Sequence, residues 1–206
     1  IRAELCHGNR EHAYDLFEQF RGEMPQHLSV WAYRSILTDW FDAGPKSEFL
    51  DGGDSDPHRF GTHWEDNDFG CMDAVNRGLD IFDLMYNDYT AGRLQDSSAR
   101  QPQSIDYAIV LDGLAKAITF MTPPPIVEME NVGGATAWLE LASASVLEHA
   151  ERIYGEMLLE DSSAWMEGDV LLAMVKCCCL ARRPELGEDY LNRMLTEVEG
   201  QLSVMK

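Results

Sequence analysis

Gly78-Leu79-Asp80-Ile81-Phe82-Asp83-Leu84-Met85 carries the pattern that decides the fold: a small residue, two mostly polar ones, two apolar, two more mostly polar, then a bulky Met. Three other stretches repeat it: Ala13-Tyr14-Asp15-Leu16-Phe17-Glu18-Gln19-Phe20, Ala150-Glu151-Arg152-Ile153-Tyr154-Gly155-Glu156-Met157 and Gly187-Glu188-Asp189-Tyr190-Leu191-Asn192-Arg193-Met194. Spacings of three and four put the small and bulky residues on one helical face. The small residue lets a neighbouring helix approach closely, and the terminal Phe or Met fills the gap. One such helix cannot bury its stripe alone, so recurrence predicts stacked helix pairs with a continuous core.

The flanking segments extend this reading. Helix is predicted over Arg2 to Phe20, interrupted near Gly8-Asn9. Ser29 caps a second helix running to about Ala43, with Trp31, Ile36, Leu37, Trp40 and Phe41 as its apolar stripe. Further helices are expected from Met72 to Tyr89 and from Ile105 to Met121, the latter burying Tyr107, Val110, Leu111, Leu114 and Ile118. Pro123-Pro124-Pro125 breaks that helix and Gly133-Gly134 closes the loop, after which Ala135 to Glu160 reads as one long helix or two abutting ones. Gly168 to Ala181 and Leu186 to Val198 form the last pair, separated by a break at Arg183-Pro184. No segment alternates with period two. The expected fold is all-α: one helical repeat domain over residues 1–206, a short α-solenoid of helix-turn-helix units with two long inserted loops at about 44–71 and 122–134.

Charge narrows the choice of partner. Acidic residues number 36 against 16 basic ones, for a formal net charge of −20, and the only lysines are Lys46, Lys116, Lys176 and Lys206. Such a surface repels phosphate backbones and anionic membranes, and is expected either of a merely solvated surface, the plainer reading, or of one that meets a basic partner. An apolar fraction of 45% supplies a sizeable core, and no stretch approaches a membrane-spanning length. The chain opens at Ile1 without an initiator Met or a leader pattern, as expected of a processed or truncated product.

No catalytic constellation emerges. The five cysteines are Cys6, Cys71 and the run Cys177-Cys178-Cys179, with no paired Cys-x-x-Cys spacing. Neighbours on a helix point about 100° apart, so the run cannot converge on one metal and is expected to be buried as small hydrophobes. The first loop gathers Asp51, Asp54, Asp56, His58, His63, Glu65, Asp66, Asp68 and Cys71. An EF-hand counted from Asp51 would need Glu where Thr62 stands, and His58 and His63 are not at helical ligand spacing, so an acidic surface loop is the better account. His7, His12 and His149 lack a neighbouring nucleophile or paired carboxylate, and Ser143 and Ser145 lie in a helix without a Gly-x-Ser-x-Gly turn. No phosphate-binding or dinucleotide fingerprint is present. Neither an enzyme nor a bound cofactor or metal is expected. Trp64, with Glu65, Asp66 and Asp68 around it, is the candidate partner anchor, while Trp31, Trp40 and Trp138 are assigned to the core.

Pairing the segments aligns Tyr33–Ala43, Tyr107–Ala117 and Leu171–Ala181 as first helices, with the repeated pattern in second helices. Ile105-Asp106-Tyr107-Ala108-Ile109-Val110-Leu111-Asp112-Gly113-Leu114-Ala115-Lys116-Ala117 resembles the pentatricopeptide repeat family, a relative of the tetratricopeptide repeats with roughly 35 residues per unit. The resemblance implies a helical solenoid, residence in a chloroplast or mitochondrion, and binding of single-stranded RNA in processing or translation. It also implies base-reading positions, which fall here on Ser35, Ser104, Ile109 and Ala173. Ile109 and Ala173 carry no hydrogen-bonding side-chain group, so those units cannot read a base edge. The expectation is therefore a scaffold that binds protein partners with basic or helical segments, a peripheral or accessory subunit of an organellar complex. The alternative is an organellar RNA-binding factor, which the charge disfavours.

Overall fold

A computed structural model describes residues 10–24, 28–42, 70–94, 101–121, 132–160 and 168–204, together with residues 1, 4, 5 and 99. Among the described residues every regular element longer than a turn is an α-helix: α1 (Arg10–Glu23), α2 (Val30–Asp42), α3 (Gly70–Thr90), α4 (Ser104–Phe120), α5 (Val132–Glu160), α6 (Gly168–Leu180) and α7 (Pro184–Val204). The fold is all-α, as expected. Contacts divide the chain into two compact units, Ile1–Pro102 and Gln103–Lys206.

In the first unit the repeated pattern buries most of its stripe, but Phe20, expected to fill the gap at the end of the α1 copy, is 37% exposed. Ala13 and Phe17 of α1 are buried, as are Gly78, Ile81, Phe82 and Met85 of α3. The Phe17 ring meets Tyr33 of α2 edge-on at 5.0 Å, and Tyr14 meets Trp40 at 5.2 Å. Gly78 shows why the first residue is small: a Cβ there would overlap the tip of the Phe41 ring, with both Cε atoms at 2.9 Å. Ser29 caps α2 as expected, its Oγ accepting from Ala32 N at 3.2 Å. Trp31 departs from the expected core. It lies two residues before buried Tyr33 and five before Ile36, on the opposite side of α2, and is 64% exposed with the Arg34 guanidinium over its ring at 5.3 Å. Trp40 and Trp138 are half-buried.

One buried charge ties α1, α2 and α3 together. Asp88, in the last turn of α3, has no solvent exposure. Its Oδ2 accepts from the Tyr33 hydroxyl at 2.5 Å and its Oδ1 from Arg93 Nη1 at 3.1 Å. Arg21 of α1 donates through Nε to the Tyr33 hydroxyl at 3.2 Å and stands 3.7 Å from the carboxylate. A carboxylate near a helix C-terminus opposes the helix dipole, so the two guanidiniums and the phenol are what make the site tenable. Burial, then the bond to Asp88, raises the Tyr33 hydroxyl above its ordinary range, which keeps it a donor. The backbone closes over the same residue: Arg93 N donates to Asp88 O at 2.9 Å across Gly92, whose φ of 64° suits a glycine.

The second unit consists of two helix pairs, α4 with α5 and α6 with α7. Tyr107, Val110, Leu111, Leu114 and Ile118 of α4 are all buried, as predicted. Backbone Gln103 N–H donates to buried Asp106 at 2.8 Å, which starts α4 at Ser104. The segment read as one helix or two is the single helix α5, and it begins at Val132, taking in Gly133 and Gly134 instead of leaving them in the loop. Pro184 likewise opens α7 instead of breaking the chain before it, since its missing N–H is one that a first-turn residue does not need. The break falls on Arg182, at φ 58°, where Arg183 N reaches back to Cys178 O at 2.8 Å.

These contacts separate glycines that serve packing from glycines that do not. Gly78→Ala is expected to cost about 1–3 kcal/mol, because Phe41 must leave its buried position. Gly187→Ala meets only ordinary contacts, the nearest being Cys178 Cβ at 3.5 Å, and should stabilise by about 0.5–1 kcal/mol through helix propensity. Urea unfolding of the two variants checks the opposite signs. In the same assay Tyr33→Phe, which strips a donor from buried Asp88, should lose about 1–3 kcal/mol. Arg93→Ala, at a half-exposed side chain, should lose less than Tyr33→Phe.

Candidate partner-binding surface

The second unit presents the more informative surface, and its geometry follows from how the two pairs meet. Aligning Tyr107–Ala117 with Leu171–Ala181 places Val110 on Met174, Leu114 on Cys178 and Ala117 on Ala181, all buried. The two first helices pack side by side. Cys177 Sγ donates to Leu111 O at 3.3 Å, and burial pushes the Cys177 thiol up to about 12, so it keeps the proton it donates. One residue along, Lys176 Nζ donates to Asp112 Oδ1 at 2.6 Å, and Lys116 sits 3.1 Å from Oδ2 on α4 itself. Partial burial raises the Asp112 carboxyl, but hydrogen bonds from Lys176 and Lys116 outweigh it and hold the group below its ordinary value.

The second helices meet through the repeated pattern. Tyr154 of α5 and Tyr190 of α7 stand edge to face with ring centroids 5.3 Å apart. Burial, followed by the nearby Glu151 carboxylate, pushes Tyr190 up to about 12. Ala150, Ile153 and Met157 are buried beside Tyr154, so α5 sets its whole stripe into the core.

The expected site residues are placed unevenly. Ser104 begins α4 and Ile109 lies one turn on, both half-exposed, as is Ser35 in α2. Ala173 is 2% exposed, within the α6 core. Trp64, Glu65, Asp66 and Asp68, with the rest of the first loop through Phe69, lie outside the described residues. Among the described residues no group of three or more His, Cys, Asp or Glu is arranged to hold a metal ion, and no helix is long and apolar enough to cross a membrane. Of the cysteine run, Cys177 and Cys178 are buried, but Cys179 is exposed because its position turns off the packed face.

Several leucines not singled out by their sequence are exposed in this unit, among them Leu141 and Leu159 of α5 at 74% and 89%. Leu172 and Leu180 on α6 are 55% and 40% exposed, and Leu191 and Leu195 on α7 are 40% and 56% exposed. The internal alignment held the signal: Leu172 and Leu180 stand where α4 has Ala108 and Lys116. Comparison with known protein families, curated proteins and solved structures finds no match to this chain.

The Asp112 cluster yields a pH-dependent prediction. A carboxyl lowered in the folded state stabilises fully above its unfolded value of about 3.9, and that stabilisation is lost as pH falls through the lower native value. Asp112→Asn should therefore lose about 0.5–1 kcal/mol at neutral pH, within the range for partly exposed pairs. The difference from the parent chain should vanish in unfolding curves taken well below pH 4.

Proposed function

We propose that this chain is a non-enzymatic helical-repeat scaffold that binds protein, a degenerate relative of the pentatricopeptide and tetratricopeptide repeats serving as a peripheral or accessory subunit of a larger organellar assembly. The observation that carries the reading is that α6 and α7 pack on α4 and α5, with Lys176 on Asp112, its equivalent, and Tyr190 against Tyr154. Repeated helix pairs build extended surfaces whose use is recognition by shape and charge. The net charge of −20 points that recognition away from nucleic acid and towards basic protein segments. Ile109 and buried Ala173, at the base-reading positions, lack the polar groups an RNA reader needs.

Fluorescence anisotropy with a randomised single-stranded RNA pool at physiological salt tests this choice. The expected outcome is no saturable binding at micromolar protein. Sub-micromolar binding that weakens steeply with salt would replace the scaffold reading with the RNA-binding one.

A further inference from the structure

We draw no further inference here: the strongest candidate, the exposed leucine face of α6 and α7 (Leu172, Leu180, Leu191 and Leu195), holds Lys176 as well as Glu188, and nothing in the structure shows what covers it.

Discussion

A pair of amphipathic helices buries one stripe of each helix against the other and leaves further apolar surface uncovered, so each pair requires a neighbour. In the second unit α6 and α7 supply that neighbour for α4 and α5. Cys177 and Lys176 reach the Leu111 carbonyl and the Asp112 carboxylate, and Tyr190 closes over Tyr154. The exposed leucines of α6 and α7 have mixed counterparts in α4 and α5: Tyr154 is buried, while Ala108, Lys116 and Leu158 are partly exposed.

The first unit meets the same constraint by different chemistry. Its helices α1, α2 and α3 converge on Asp88, a fully buried carboxylate answered by Tyr33, Arg21 and Arg93. A buried ion cluster adds little net stability compared with apolar packing, but breaking it is costly, so it fixes which helices meet and in what register. Close steric fit adds to this where Gly78 admits the Phe41 ring. Shape therefore governs the second unit, and shape together with a charge pin governs the first. Both hold their helices in a set register, as the proposed scaffold function requires.

Helix existence was legible because period and cap residues agree. The α4 stripe Tyr107, Val110, Leu111, Leu114 and Ile118 is buried in full, and Ser29 caps α2 as its type predicts. Boundaries were less legible where Gly and Pro are tolerated in a first turn, as at Gly133, Gly134 and Pro184. Trp31 departs from the core that its hydrophobicity suggests, because its offset from Tyr33 and Ile36 turns it outward. The Asp88 cluster was not legible, since Arg21, Tyr33 and Asp88 are far apart in sequence and only tertiary packing brings them together. The α6–α7 face was half legible. Its residues stand out only when α6 is compared with α4, where Leu172 replaces Ala108 and Lys176 replaces Asp112.

The central claim is that the repeated pattern forms contacts between the second helices of the second unit. A double-mutant cycle on Tyr154 and Tyr190, with each replaced by Leu singly and together, measures the coupling between α5 and α7 through unfolding free energies. An edge-to-face pair at 5.3 Å should give a favourable coupling of about 0.5–1.5 kcal/mol. Coupling indistinguishable from zero would mean that the second helices do not meet through the repeated pattern, and would contradict the account.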